Sequence, residues 1–170
     1  DGGLYVPKEW PKLEIDPKWV EREFPDFAKE VLQPFFAGDK LSDSLAEICA
    51  RAFDFPMPLE RLDEETSILE LFHGPTNSFK DFGARFLALA MNQISHAKTG
   101  NRLVLVATSG DTGSAVASAF ARFTKIPVVI LYPKGKISAR QEKQLTVWGK
   151  SVKALAVAGS FDDCQRMVKE

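Results

Sequence analysis

From residue 102 to residue 169 the chain alternates short apolar runs with helix-like segments, and Gly, Pro or Ser brackets nearly every change. Residues 103–107 are a continuous run of Leu, Val and Ala, the pattern of a strand buried on both faces. Residues 114–124 read as a helix, 127–132 as a second strand, and 139–148 as a helix ended by Gly149. Residues 152–158 read as a third strand and 161–169 as a further helix. Strand, helix, strand, helix, strand is the signature of βαβ units, in which the strands run parallel and helices cover the sheet on both faces. Ligands of such α/β sheets collect at the carboxyl ends of the strands. That rule brings residues 109–113 and 133–138 to one edge.

The residues before this alternation have a different pattern. Residues 1–15 mix Gly, Pro and apolar residues in the manner of an extended arm. Asp16 and Pro17 supply a cap and a first-turn proline for a short helix over 18–22. Phe27, Val31, Leu32 and Phe35 form the next helical stripe, which Pro34 must bend or end and Gly38 stops. Ser42 opens a third helix whose Leu45, Ile48, Cys49 and Ala52 share a core-facing side. Pro56-Met57-Pro58 closes this part, and an acidic stretch at 63–65 leads into an apolar, strand-type run at 68–72. The expected division is a helical N-terminal region, residues 1–66, and the first part of an α/β domain, residues 67–170, incomplete at its C-terminal side.

Composition narrows the function classes. With 170 residues, 45% hydrophobic and 26% charged, and a formal net charge of -1, the chain has the balance of a globular protein with one core. Its basic residues are dispersed, so neither nucleic acid nor an acidic membrane surface is an expected partner. No apolar run approaches a membrane span and no signal peptide precedes the first motif, which makes a cytoplasmic location the expectation. Cys49 and Cys164 lie far apart on predicted helices, and His73 and His96 are the only histidines. No disulfide framework, zinc site or other metal site is expected. The first residue is Asp1 rather than Met, so the chain reads as a segment of a longer product.

Two stretches carry chemistry. Residues 73–85 read His-Gly-Pro-Thr-Asn-Ser-Phe-Lys-Asp-Phe-Gly-Ala-Arg. Gly74 and Pro75 break the run before them. Ser78 has the character of an N-cap, and Asp81 is its short reciprocal partner three residues on. Phe79, Phe82, Phe86 and Ala90 then follow at helical spacing as one apolar face. Lys80 falls in the first turn, where unpaired amide groups disfavour a cation. A neutral lysine amine is the nucleophile that forms a Schiff base with an aldehyde cofactor. A surface lysine beside an acid is the plainer reading of that position taken alone. Asp81 and Arg85, four residues apart, have the spacing of an ion pair; Arg85 could instead add positive field near a bound phosphate. His73 reads as shaping the turn through a hydrogen bond.

The second stretch, residues 108–114, reads Thr-Ser-Gly-Asp-Thr-Gly-Ser between a predicted strand and a predicted helix. Such a loop presents backbone N–H groups to an anion. It lacks the first glycine of the dinucleotide fingerprint and the Gly-Lys-Ser/Thr of a nucleoside-triphosphate loop. Alone, a tight strand-to-helix turn is an equally good account of it.

The run His-Gly-Pro-Thr-x-x-Phe-Lys-Asp-Phe at 73–82, followed by Ala-Thr-Ser-Gly-Asp-Thr-Gly-Ser at 107–114, resembles the threonine synthase family. Asp-Gly-Gly-Leu-Tyr-Val-Pro at 1–7 and Tyr-Pro-Lys-Gly-Lys-Ile-Ser at 132–138 resemble it too. The similarity spans essentially the whole chain but well under half of the family's length. It implies the tryptophan-synthase β fold, fold type II among pyridoxal 5'-phosphate enzymes. It also implies conversion of O-phospho-L-homoserine and water into L-threonine and phosphate. By the same resemblance Lys80 is the Schiff-base lysine and a proton carrier for the substrate. Ser109, Gly110, Thr112 and Gly113 match the loop that holds the substrate α-carboxylate. Asp111 matches a position where related cysteine synthases and dehydratases commonly carry Asn; it is expected near the phenolic oxygen or imine of the cofactor.

Two other readings are compatible with these residues. Another lyase or dehydratase of the same fold, acting on a hydroxy or phosphorylated amino acid, would use the same Lys80. A catalytically silent homologue would bind a phosphorylated ligand without turnover. Lys134, Lys136 and Arg140 form a modest basic group near the strand ends, best read as a solvated loop. The groups that take the cofactor phosphate, the pyridine nitrogen and the substrate phosphate are expected outside residues 1–170. The segment alone is expected to be inactive and, with apolar strand edges exposed, prone to association.

Overall fold

The computed structural model describes residues 3, 5–14, 16–96 and 102–170. Asp16 caps a 3-10 turn over Pro17–Glu21, its carboxylate accepting from the Lys18 N–H at 2.9 Å. Helix α1 spans Phe24–Leu32, and Pro34 lies in the 3-10 turn Gln33–Phe36 that ends it. Gly38, at φ +75°, turns the chain as expected. A 3-10 turn over Ser42–Ser44 leads into α2, Leu45–Ala52. The four predicted core residues of α2, Leu45, Ile48, Cys49 and Ala52, are all buried.

The apolar run at 68–72 departs from expectation. Only Ser67–Leu69 forms a strand, β2, and it pairs antiparallel with β1, Leu59–Arg61, in a ribbon separate from the main sheet. All six paired residues are exposed, and so is Phe72. The Asp63 carboxylate holds the hairpin by accepting from the N–H groups of Glu65 and Thr66 at 2.9 and 2.8 Å. Those bonds pull its carboxyl below the ordinary aspartate value.

Helix α3, Lys80–His96, is the wall between two apolar clusters. Phe82, Phe86, Leu89 and Ala90 face α1 and α2, where Phe24, Phe53 and Phe55 complete an aromatic group. Ala84, Ala88 and Met91 face the other way, onto α4, Asp111–Phe123. Residues 113–120 of α4 are buried without a break, as expected of a helix enclosed on all sides. Its small Gly, Ala and Ser side chains allow α3 to pack close against it.

The parallel sheet has the order β3-β4-β5, with β3 at Val104–Ala107, β4 at Val128–Pro133 and β5 at Val152–Val157. Val104 pairs with Val128, and Val128 with Val152. Val104, Val106, Val128, Ile130 and Ala154 meet α3, α4 and Leu145 of α5, Ala139–Thr146. Helix α6, Phe161–Lys169, returns across β3 and β4. The fold is the expected mixed α/β arrangement with a parallel three-stranded sheet. β3 is not buried on both faces, however: Leu103 and Leu105 remain exposed because β3 is an edge of this sheet.

Candidate active site

The turn before α3 is built by a buried acid. Asp81, fully buried, accepts from the backbone N–H and the hydroxyl of Thr76, both at 2.9 Å. A Cβ on Gly74 would lie 2.5 Å from Asp81 Oδ2, so glycine is what lets the chain pass the carboxylate. Asn77 donates its N–H to Gly74 O at 3.0 Å and takes φ +55°, a region asparagine tolerates. Ser78 Oγ accepts from the Lys80 N–H at 3.3 Å. His73 Nε2 and Glu70 Oε2 share a hydrogen bond of 2.6 Å at the entry to the turn, consistent with the shaping role expected of His73.

Two expectations for this helix end are corrected. Asp81 neither reciprocates the Ser78 cap nor pairs with Arg85, because both carboxylate oxygens go to Thr76. Arg85 reaches back to α2, donating to Arg51 O, Ala52 O and the Asp54 carboxylate. Those carbonyls are among the last of α2, which the helix itself leaves unpaired. Phe79 also leaves the apolar face; it is 60% exposed, and Lys80 Nζ stands 4.8 Å from its ring centre.

Lys80 is the first residue of α3, and its Nζ donates to Thr112 Oγ1 at 2.9 Å. Two helix N-termini therefore meet through one amine and one hydroxyl, on residues 32 apart in sequence. The loop before α4 is arranged by Thr108, a buried residue whose hydroxyl accepts from the N–H groups of Gly110 at 3.0 Å and Gly113 at 2.8 Å. Gly110, at φ +139°, is the cap residue of α4 and its carbonyl accepts from Ser114 N–H and Oγ, each at 3.1 Å. A Cβ on Gly113 would sit 2.5 Å from Thr108 Cγ2 and 2.9 Å from Leu145 Cδ2. Both glycines thus turn their N–H groups inward. Asp111 and Thr112 occupy the first two helical positions, where N–H groups have no partner within the helix. Ser109 is exposed beside them.

Asp111 Oδ1 accepts from Gln141 Nε2 at 3.1 Å. Gln141 belongs to the capping box of α5, in which Ser138 Oγ accepts from the Gln141 N–H and Gln141 Oε1 accepts from the Ser138 N–H. Tyr132, at the end of β4, donates its hydroxyl to Glu142 Oε1 at 2.6 Å; that bond and burial push its phenol up to about 12. The structure thus brings Lys80, Gly110, Asp111 and Thr112 together at the carboxyl end of β3. Lys134, Lys136 and Arg140 are exposed and outside these contacts. A separate aromatic groove of about 1110 Å³, lined by Trp19, Phe24, Phe27, Phe53, Phe55 and Met57 among others, includes none of the candidate residues. Sequence reasoning missed Gln141 and the role of Thr108. The Ser-x-x-Gln capping pattern is a legible signal for the first; Thr108 stands in the loop singled out above, but nothing there marks its hydroxyl as the acceptor for Gly110 and Gly113.

An amine-bearing helix start set against a Gly/Ser/Thr helix start at a parallel strand end defines a class, and the family model for pyridoxal-phosphate dependent enzymes matches residues 55–170; the chain belongs to that family. Within it the relationship is narrower. Residues 1–53 match the threonine synthase N-terminus model. The chain is 42% identical to the threonine synthase of Haemophilus influenzae over 170 residues, 100% of this chain and 40% of that one. It is 41% identical to that of Escherichia coli over 171 residues, 99% of this chain and 39% of the relative. The crystal structure of the Escherichia coli threonine synthase superposes with a TM-score of 0.87 at 40% identity, covering 98% of this chain and 39% of that chain. The pyridoxal-phosphate-bound threonine synthase of Brucella melitensis gives 0.86 at 36% identity, over 99% and 38%. The chain thus spans about 40% of the length of the curated relatives it matches, over the N-terminal part of the enzyme.

Proposed function

We propose that the protein containing this segment converts O-phospho-L-homoserine and water into L-threonine and phosphate with pyridoxal 5'-phosphate. The observation that carries the reading is the approach of Lys80 Nζ to Thr112 Oγ1, within the first turns of α3 and α4, in a chain of this family. The donor set fits the cofactor. Lys80 offers a half-buried amine with a neutral hydroxyl partner, and an aldehyde needs such a group to be held.

When bound, the cofactor's pyridine ring supplies the electron sink for carbanion chemistry at Cα. The chain's own residues do the rest. Lys80 would hold the cofactor's aldehyde and, with its amine free, would carry the proton from Cα and serve as acid and base for the later transfer at Cβ. Ser109, Gly110, Thr112 and Gly113 form the seat of the α-carboxylate. Within that seat the exposed Ser109 and the N–H groups of Asp111 and Thr112 face the anion. Gly110 and Gly113 act by letting the loop close on Thr108. Asp111, held by Gln141, would present its carboxylate to the cofactor. Arg85, bound to α2, takes no part in this reading.

The same reading keeps residues 1–66 as a helical N-terminal region and 67–170 as the first part of the cofactor domain. It makes the protein a cytoplasmic biosynthetic enzyme, and no described helix is long and apolar enough to cross a membrane. The test uses the full-length protein. An absorption spectrum, borohydride reduction and peptide mapping should find the pyridoxyl label on Lys80, and phosphohomoserine should yield phosphate and threonine in equal amounts. A label on another lysine would overturn the role of Lys80; phosphate release without threonine would overturn the reaction.

A further inference from the structure

We propose that Gln141 is a positioning residue, whose side-chain amide holds the Asp111 carboxylate in the orientation it presents to the cofactor. This rests on the reading of Asp111 as a neighbour of the cofactor.

The amide can point only one way. Gln141 Oε1 accepts from both the N–H and the hydroxyl of Ser138, each at 3.0 Å, so the NH2 end must be the one turned to Asp111 Oδ1, 3.1 Å away. Exchanging the two ends would set an N–H donor against the Ser138 N–H. Gly110 makes room for this arrangement: a Cβ there would lie 2.6 Å from Gln141 Cδ and closer still to Nε2. The residue that lets the loop turn at φ +139° is thus also the one that lets the amide lie flat against the loop. The base of the lever is fixed as well. α5 is tied to β4 by Tyr132 and Glu142 at 2.6 Å, and its Leu145 is fully buried.

The residue type is informative in itself. Glutamate and glutamine serve equally as the third residue of a capping box, because only a carbonyl-type oxygen is needed there. Only glutamine also offers a donor to Asp111; glutamate would set a second carboxylate against it. Of the other charged groups on the adjoining turns, Lys80 is bound to Thr112 and Glu142 to Tyr132, while Arg140 and Lys143 of α5 are exposed.

Gln141→Glu in the full-length holoenzyme separates the two roles, since it keeps the cap and removes the donor. The readouts are the wavelength maximum and pH midpoint of the cofactor's visible band, with the thermal unfolding midpoint as control. We expect the band midpoint to move by about half a pH unit or more, as for a charge change beside a titrating group, with the unfolding midpoint unchanged. Gln141→Leu should also move the band, and that movement should vanish when Asp111→Asn is already present. If both Gln141 variants keep the parent band while Asp111→Asn moves it, Gln141 does not position Asp111, and the cofactor reading stands. If Gln141→Leu acts equally in the Asp111→Asn background, its effect bypasses Asp111 and the proposal fails. If Asp111→Asn leaves the band untouched, the reading of Asp111 falls, and the role of Gln141 falls with it.

Discussion

Helix α3 carries two cations five residues apart, and the protein treats them in opposite ways. Arg85 is 2% exposed. Its guanidinium donates to Ala52 O at 2.7 Å, Arg51 O at 2.6 Å and the Asp54 carboxylate, and lies 4.9 and 5.3 Å from the rings of Phe123 and Phe55. Burial pulls its proton affinity down from the ordinary arginine value, while Asp54 opposes that shift; the charge persists and is fully matched. Lys80 is half-buried, its amine donating to the Thr112 hydroxyl with one exposed aromatic ring beside it. A cation saturated with acceptors joins two pieces of structure. One held by a neutral hydroxyl remains available to react.

Removing each cation in the full-length protein should therefore have opposite signatures. Lys80→Ala should lower turnover by about a thousand-fold or more, since it deletes both the attachment point and the acid-base group, and leave the denaturant midpoint in place. Retained turnover would break the comparison. Arg85→Met should leave kinetic constants per folded molecule unchanged and destabilise by about 3 kcal/mol, because two helix-terminal carbonyls lose their partner and Asp54 keeps only the longer contact with Arg122 at 3.8 Å. Urea unfolding measures this. A loss of activity without loss of stability would instead place Arg85 in the site.

The contrast between the two cations was only half legible in the sequence. Lys80 could be found because its surroundings are local: a Gly-Pro break, a cap and an apolar stripe fix it at a helix start within a dozen residues. Arg85 was misassigned to Asp81 because an i,i+4 spacing says which groups can meet on a helix and nothing about competitors. The winning partners, Asp54 for Arg85 and Thr76 for Asp81, lie 31 and 5 residues away. The parallel strands were legible for the same local reason as Lys80, each being an apolar run between breakers. β1 was not, since Leu59–Arg61 is too short to show a period. Thr108 stood in the anion loop that the sequence marked, but its part as acceptor was hidden because its hydroxyl acts only after the following turn has closed.

Gly113 extends the contrast into the anion loop, where it separates packing from chemistry. Gly113→Ala must push a methyl against Thr108 and Leu145. The expected destabilisation is about 2 kcal/mol, the usual range for overpacking a tight site. KM for the substrate should rise as the loop shifts, while the cofactor stays attached to Lys80. An alanine variant of parent stability would mean that the loop relaxes freely and that the helix start is softer than its contacts imply.

The smallest effect is expected at Tyr132, a matched group like Arg85 but on the side of the site that holds Gln141. Its hydroxyl donates to Glu142 at 2.6 Å, and its phenol is pushed up to about 12 from an ordinary value of 10. The folded state therefore keeps this proton where the unfolded chain has begun to lose it. Stability from this group is fully present below pH 10 and declines as pH rises from there through 12, because between those values the unfolded chain binds fewer protons. Tyr132→Phe should cost about 1 kcal/mol at neutral pH, the net value of one hydrogen bond, and flatten the fall of the urea midpoint between pH 10 and 12. If the fall persists unchanged in the phenylalanine variant, the proton is lost elsewhere, and the bond between β4 and α5 is not what fixes the base of Gln141.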